Sequence, residues 1–332
     1  MRTASKIIGA VLLVSACIAS AAADPIDADT VLRKMLDSES SVSFTARQIT
    51  TISRKPSLTS EQIVYRSGFR GMRIEYVEPA LMRGEIMADD GRQLAHFIPK
   101  AKVLKIRPSR LAHLRLRTEQ AVEASREGHL TAELVGRDKI AGRAAYLIVV
   151  KPKSHRHGPT RKFWVDTEKW IKLKTEDIAP DGSVASTSYY TEIDFVNSIS
   201  DEKFRFDAPP GVRVEREAGP PGALPLDKAR EMVKFRILEP AHLPPGFKFV
   251  GASVMPFREG KFVALRYSDG VTSFSLFQTP GRTLHPKFLH RLHEGPVRPG
   301  KGIYSWRRGE LNLTLVGPLS SEEIRKIAAS MK

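Results

Sequence analysis

Cysteine is nearly absent from this chain, which carries a single one, Cys17, among its 332 residues. No intramolecular disulfide can form, so buried apolar side chains must stabilise the fold. Long apolar runs are missing as well: residues 7–18 form a run of twelve, whereas a membrane-spanning helix needs ~18 or more. The content of 41% hydrophobic and 27% charged residues is close to the average of globular proteins. We therefore expect about two folded domains that do not cross a membrane.

The first residues have the pattern of a secretion signal. Arg2 and Lys6 precede the apolar residues 7–18, and an A-x-A cleavage site ends at Ala23. This predicts a signal peptide over residues 1–23 and an exported, periplasmic protein. Cys17 follows a stretch that loosely resembles a lipobox, so cleavage and lipidation at Cys17 is the alternative. We favour cleavage after Ala23, because the apolar run continues past Cys17.

Signatures of catalysis and of metal or nucleotide binding are also missing. There is no G-x-S-x-G elbow, and the chain after the leader has no cysteine nucleophile. Residues 295–302 have Walker spacing, but glycine replaces the magnesium-binding hydroxyl and two prolines remove backbone donors. His155 and His157 lie among cations, and no full ligand set surrounds His290 and His293. We predict a binding protein without catalytic residues, metal or cofactor; a hydrolase of envelope material is a less favoured alternative.

Positive charge is the strongest signal of the composition. The chain has 53 Lys and Arg against 37 Asp and Glu, and residues 220–332 alone have 18 against 9, a net charge of +9. In an exported protein this favours anionic envelope partners, such as lipid phosphates or an acidic protein segment, over nucleic acid. Arg307 and Arg308, at a predicted turn beside Gly309, are the candidate partner-binding residues. The alternative is that the charge serves solubility alone.

The middle of the chain is patterned like antiparallel strands. Residues 72–76 and 163–166 alternate between apolar and polar, while residues 146–150 form a continuous apolar run. Two helical patterns accompany the strands, a short one capped by Asp27 or Asp29 and a longer one over residues 111–127. We predict a curved meander that is covered by the two helices on one face.

An apolar cleft is expected between these helices and the sheet. Tyr76 and Phe97 are expected to face it from neighbouring strands. The full set of predicted lipid-binding residues is Phe44, Tyr65, Met72, Ile74, Tyr76, Phe97, Ile106, Leu147, Phe163 and Trp170. The alternative is that they form a closed core under the helices.

A Pro/Gly-rich linker over residues 217–225 divides the chain into domains of residues 24–216 and 226–332. The second domain begins with a short helix and ends with a helix that opens on the capping box Ser320-x-x-Glu323. Between them, strands are predicted near residues 247–255, 261–267, 272–278, 302–307 and 311–316. The fold class is mainly β with helices, that is, α+β.

The order of several short motifs resembles known envelope proteins. Residues 42–212 resemble the lipoprotein-carrier superfamily (LolA/LolB-like) in Tyr65-Arg66, Arg73-Ile-Glu-Tyr-x-x-Pro79, Arg83-Gly84-Glu, Asp90-Gly91, Phe97-Ile-Pro99, Gly142-Arg143, Phe163-Trp164-Val165-Asp166, Leu173-Lys174 and Phe206-Asp-Ala-Pro209. The C-terminal part is similar to the second domain of RseB/MucB in Leu243-Pro-Pro-Gly-Phe247, Tyr267-Ser-Asp-Gly270, Ser273-Phe-Ser-Leu-Phe277 and Leu313-Thr-Leu-Val-Gly317. Residues 153–161 and 223–240 depart from this pattern.

The resemblance implies a half-barrel with a helical lid that can hold acyl chains, joined to a smaller domain that helps to contact an anti-sigma factor. It implies a periplasmic regulator that senses lipid or lipoprotein and controls an envelope-stress response. The alternative is a lipoprotein carrier or outer-membrane assembly factor that transports acylated cargo. Peripheral contact with a membrane is compatible with either.

Overall fold

A computed structural model describes residues 26–53, 56–153, 160–179, 182–216, 224–257, 260–270, 272–281 and 302–332. The predicted leader with Cys17 lies outside the described residues, as do most of the predicted linker and the two histidine pairs. The Walker-like residues 295–301 lie outside them too. In the described part of the chain, no helix is long and apolar enough to span a membrane.

The first domain is built on one sheet of twelve strands. Its strands are β1 Ser43–Ile52, β2 Leu58–Ser67, β3 Gly71–Glu78, β4 Ile86–Asp89, β5 Gln93–Ile98, β6 Val103–Pro108, β7 Leu130–Ile140, β8 Arg143–Pro152, β9 Thr160–Asp166, β10 Lys172–Ile178, β11 Val184–Phe195 and β12 Arg213–Arg216. Their order is β12-β6-β5-β4-β3-β2-β1-β11-β10-β9-β8-β7. Neighbours are antiparallel except for the parallel β12–β6 pair, and the sheet is open and curved, which confirms the predicted half-barrel.

Two helices, α1 (Ala28–Ser38) and α2 (Leu111–Arg126), pack on one face of this sheet. Asp27 caps α1 as predicted, because its Oδ1 accepts a hydrogen bond from the Thr30 amide at 2.6 Å. The helical repeat of α1 places Val31, Leu32 and Met35 against β8 and β9, where all three are buried. Helix α2 ends before Gly128, whose φ of +70° suits glycine.

Two motifs of the resemblance meet in a structural contact. The Arg143 guanidinium at the start of β8 donates to both carboxylate oxygens of Asp166, which follows Val165 at the end of β9. The same carboxylate accepts from the backbone amides of Glu168 and Lys169 at 3.0 and 2.6 Å. The Asp166 side chain is 1% exposed, so these motifs hold the β9–β10 turn closed.

In its described residues, the second domain has a five-stranded sheet in the order β13-β14-β15-β17-β16 and two helices. The elements are α3 Leu226–Glu231, β13 Lys248–Phe257, β14 Gly260–Ser268, β15 Ser273–Pro280, β16 Ile303–Arg308, β17 Leu311–Val316 and α4 Ser321–Ser330. Ser320 caps α4 by accepting from the Glu323 amide at 3.2 Å. All five predicted strands are present in the α+β domain, and Leu224 of the predicted linker already pairs with Ala252.

Helix α2 also contacts the second domain. Lys248 on β13 forms an ion pair with Glu123 of α2, at 2.6 Å between Nζ and Oε2. Gly270, in the β14–β15 turn, lies so close to α2 that a Cβ there would be 2.3 Å from the Ala121 amide nitrogen. The φ of Gly270 is +86°, a conformation that glycine adopts without strain. Only a residue without a side chain allows this close approach.

Gly270→Ala should therefore destabilise the protein by roughly 2–4 kcal/mol, the combined cost of left-handed backbone and overpacking. Gly142→Ala is the matched control: its φ is +75°, but nothing lies within 4 Å of the added Cβ. This control should cost only about 1–2 kcal/mol. Urea unfolding of the protein without its predicted signal peptide measures both losses of stability. Equal losses for the two variants would show that Gly270 does not pack on α2.

Candidate ligand cleft and partner surface

An inner cleft of about 250 Å³ lies on the helix-covered face of the first sheet. Residues paired across neighbouring strands share a face, and the pairs Ala46–Val64, Val64–Ile74 and Phe44–Arg66 place the cleft on β1, β2 and β3. Its lining residues are Glu39, Val42, Phe44, Gln48, Val64, Arg66, Met72, Ile74, Leu114, Ile171, Lys172, Leu173, Thr175, Ser188 and Tyr190. The volume is below the ~300–1,000 Å³ of typical small-molecule pockets.

Three of the ten predicted lining residues, Phe44, Met72 and Ile74, line this inner cleft. Tyr76 is on the same face farther along β3, because it pairs with Gln62, and its hydroxyl is 3.8 Å from the Met87 sulfur. Burial raises the pKa of Tyr76 first, and the nearby Glu85 carboxylate raises it further. Tyr76 is thus beside the cleft and not in it.

Three predicted residues, Tyr65, Phe97 and Ile106, lie on the opposite face. Phe97 pairs with Ile86, and Ile86 pairs with Glu75, so these three side chains share one face of the sheet. Tyr76 follows Glu75 in β3 and therefore points to the other face. The Phe97 ring stacks on Phe206 with centroids 5.1 Å apart. The expectation that Tyr76 and Phe97 face one cleft is therefore wrong. Segment 200–206 returns to cover the outer face of β3 to β5, and this gives the outer aromatic residues their own core.

The other members of this outer group have equally distinct partners. The Tyr65 ring lies under the Lys203 ammonium at 3.9 Å. Ile106 pairs with Ala95 on one side and Arg216 on the other. Leu147 is separate from this group, because it packs against the cluster of Ala145, Trp164 and Leu173, and Leu173 lines the inner cleft. None of Tyr65, Ile106 and Leu147 contributes to the inner cleft.

Phe163 and Trp170 face the helices but belong to the closed core beneath α1. Phe163 is 7% exposed and clusters with Ile148, Val165 and the apolar side of α1. Trp170 stacks on Tyr146 with centroids 6.0 Å apart. For these two residues the closed-core alternative describes the structure.

A charged cluster lies within the lining of the inner cleft. Lys172 Nζ is 2.7 Å from Glu39 Oε1, and Arg66 Nη2 is 3.9 Å from Glu39 Oε2. Burial raises the pKa of Glu39, but the charges of Lys172 and Arg66 outweigh it and hold that pKa below its usual value. Glu39 is thus ionised at neutral pH. The described lining carries two cations and one anion.

The polarity of the concave face changes along the strands. Gln62 donates to Gln48 Oε1 at 2.8 Å and to Thr50 Oγ1 at 3.0 Å, and Thr50 and Ser188 are also hydrogen-bonded. These polar pairs continue from the apolar floor formed by Phe44, Val64 and Ile74. The apolar part of the cleft is therefore short.

A second cavity, the outer groove, also borders α2 and has a volume of about 710 Å³. Its lining residues are Leu36, Asp37, Ser40, Phe69, Arg70, Arg115, Thr118, Glu119, Val122 and Arg126. Leu114 of α2 lines the inner cleft, while Arg115 and Val122 line the groove. Helix α2 thus borders both cavities. In its middle Gln120, Ala121 and Ala124 are buried, and the two alanines anchor it with little apolar area.

Sequence reasoning missed the polar half of the site. Glu39 follows the last turn of α1, and Lys172 precedes the predicted Leu173-Lys174 motif, so neither stands out in the sequence. Arg66 could have been found, because alternation along β2 places it on the face of Val64. The pairing register that brings these three residues together cannot be read from one sequence.

Arg307 and Arg308 are at the end of β16, where they pair with Asn312 and Leu311. The predicted turn is shorter than expected: Gly309, with a φ of +57°, and Glu310 form it, so the two arginines still belong to the strand. Both are exposed, and Tyr304 on the same strand is 40% exposed. Tyrosine and arginine together are typical of protein-binding surfaces.

Metal binding has no support in the described residues, where no cluster of three or more His, Cys, Asp or Glu side chains could hold an ion.

Comparisons with known proteins agree with this architecture. The chain is similar in structure to MucB in the MucA/MucB complex of Pseudomonas aeruginosa, with a TM-score of 0.60, 17% identity, and coverage of 92% of this chain and 98% of that one. A structure of MucB by itself matches with a TM-score of 0.52, 16% identity, and coverage of 92% and 97%. The LolA superfamily protein NE2245 of Nitrosomonas europaea covers 55% of this chain and 99% of its own at 14% identity, with a TM-score of only 0.28.

At these identities the two MucB matches show a shared fold. No curated protein matches the chain significantly in sequence. The family model for the MucB/RseB N-terminal domain matches residues 27–207, which is more than half of the chain and includes the whole inner cleft. This chain therefore belongs to the MucB/RseB family.

Proposed function

We propose that this chain is a periplasmic regulator that binds the periplasmic segment of an anti-sigma factor and senses acyl lipid or lipoprotein through its inner cleft. It acts by binding and not by catalysis. The supporting observation is that both of its domains match MucB, including MucB in complex with MucA, over 92% of this chain. The predicted signal peptide supports a periplasmic location.

The second domain is the proposed docking domain. It carries a net charge of +9 from residue 220 onward, and exposed Arg307, Arg308 and Tyr304 lie on one strand. An acidic segment of the anti-sigma factor complements this charge. The inner cleft of the first domain is the proposed acyl site, because Phe44, Val64 and Ile74 give it an apolar floor.

Signal transfer requires a physical connection between the two sites. A cleft of about 250 Å³ accepts a short or medium acyl chain, and a longer chain needs the space of the outer groove. Joining the two cavities displaces α2, which also contacts Lys248 and Gly270 of the second domain. We propose that acyl binding weakens partner binding by this displacement.

The test is a titration of the exported, delipidated protein with the periplasmic segment of the anti-sigma factor encoded beside its gene. We expect binding by calorimetry, and a loss of at least 5-fold in affinity when a triacyl lipopeptide is added. An unrelated acidic segment of equal length is the control. If the segment does not bind and the lipopeptide is instead passed to an acceptor membrane, the carrier alternative is correct and the regulator is rejected.

A further inference from the structure

We infer that Arg66 is the anion-binding residue of the inner cleft, and that the cleft takes a single-chain amphiphile with a carboxylate or phosphate head. This inference rests on the proposed acyl-binding function and deepens it. It assigns a polar head, a direction and a chemical class to a ligand that the apolar floor alone leaves undefined.

The environment of Arg66 leaves hydrogen-bonding capacity unused. The residue is 9% exposed, and its buried Nη2 atom has no hydrogen-bond partner among the described residues. The Nη1 atom is 3.5 Å from the Met72 sulfur, a weak acceptor. The nearest carboxylate oxygen, Glu39 Oε2, is 3.9 Å away, beyond hydrogen-bond distance. A buried guanidinium with an unused donor is a costly arrangement that an oxygen acceptor would relieve.

Glu39 does not satisfy the unused donor of Arg66, because Lys172 competes for the same carboxylate. Its Oε1 atom is 2.7 Å from Lys172 Nζ, so the ammonium holds this side chain on the Lys172 side. The single carboxylate of Glu39 is thus shared by two cations, Lys172 and Arg66, and these three residues keep a net positive charge inside the cleft. The electrostatics favour one additional anion.

The shape of the guanidinium determines the kind of anion. Its planar fork matches carboxylate and phosphate oxygens, and it is more weakly hydrated than an ammonium. Met72, Ile74 and Val64 lie directly beside Arg66 on the same face, so an anionic head at Arg66 would have apolar surface for its chain. Neutral alcohols and esters carry the apolar acyl chain but lack the anionic head.

The experiment compares decanoate, decyl phosphate and decanol as ligands of the exported protein by calorimetry. We expect decanoate and decyl phosphate to bind at least 10-fold more tightly than decanol. A preference of one anion over the other shows whether a carboxylate or a phosphate is the natural head. Arg66→Met should abolish the preference for anions and leave decanol binding within 2-fold. Arg92→Met, at an exposed arginine of the first domain that is not among the lining residues of either cavity, is the control and should keep the preference.

A second variant covers the case in which Arg66→Met does not fold. Glu39→Gln removes the competing carboxylate and should tighten decanoate binding at least 3-fold without changing decanol binding. Equal binding of all three ligands would overturn the role of Arg66 while the acyl cleft stands. A preference that survives Arg66→Met, or weaker decanoate binding in Glu39→Gln, would overturn it too. Absence of binding for all three would reject the acyl cleft itself.

Discussion

Ile74→Asp is expected to lower the affinity for decanol and decanoate alike by roughly 100-fold. Ile74 lines the apolar floor of the cleft and pairs with Val64, and exchanging it for a carboxylate removes about 2–3 kcal/mol of apolar contact. The new carboxylate is also hydrated in the free protein. An acyl chain that binds beside it must remove this water, and the cost of doing so lowers the affinity. Calorimetry measures both affinities, and circular dichroism verifies the fold.

Ile63→Asp is the matched control for this change. Ile63 is on the adjacent strand, is half-buried like Ile74, and faces the opposite side, where it pairs with Arg47 and Glu75. Binding in this variant should stay within 3-fold of the original protein. Similar losses in both variants would mean that the effect comes from the sheet as a whole, and the cleft would no longer be the acyl site.

Reversing Arg307 and Arg308 to glutamate is expected to weaken binding of the anti-sigma segment at least 10-fold at low ionic strength. The double change alters the charge of an exposed strand end by four units and opposes an acidic partner. Salt screens exposed charges beyond ~8 Å at physiological ionic strength, so the affinity of the original protein should also fall as salt is added. Calorimetry at low and high salt gives both effects.

A control for net charge is available on the first domain. Arg92→Glu with Lys100→Glu makes the same change of charge at two exposed residues of the first domain, which flank β5. This variant should keep its affinity within 3-fold. If both double variants lose affinity equally, only the overall charge matters. If neither does and salt has no effect, the basic second domain serves solubility.

The strands and helices could be predicted because their patterns are local. Alternation at residues 72–76 marks β3, and the cap at Asp27 and the stop at Gly128 mark the ends of α1 and α2. The five strands of the second domain follow from the same signals. The sequence predicts α2 although Ala121 and Ala124 give it little buried apolar area, because the spacing of Glu119, Glu123 and Glu127 is helical by itself.

The lining of the cleft was predicted less well, because it depends on long-range pairing. A shift of one residue moves a side chain to the other face of a sheet, and neither sequence alternation nor hydrophobicity distinguishes the two faces when both are apolar. Phe97 is an example: it is as apolar as Phe44, but Phe206, more than a hundred residues later, covers it. Arg66 does not stand out as a ligand-binding residue in the sequence, because a charged residue in a strand is usually solvent-exposed.

Helix α2 borders two cavities and contacts the second domain, and this has a thermodynamic consequence under the proposed function. Coupling between two binding sites is reciprocal, so the factor by which an acyl chain lowers partner affinity is also the factor by which the partner lowers acyl affinity. The concentration of lipid needed for release would then rise with the amount of free anti-sigma segment. The detection threshold of such a regulator is a property of the pair, set by the abundance of its partner as much as by the cleft.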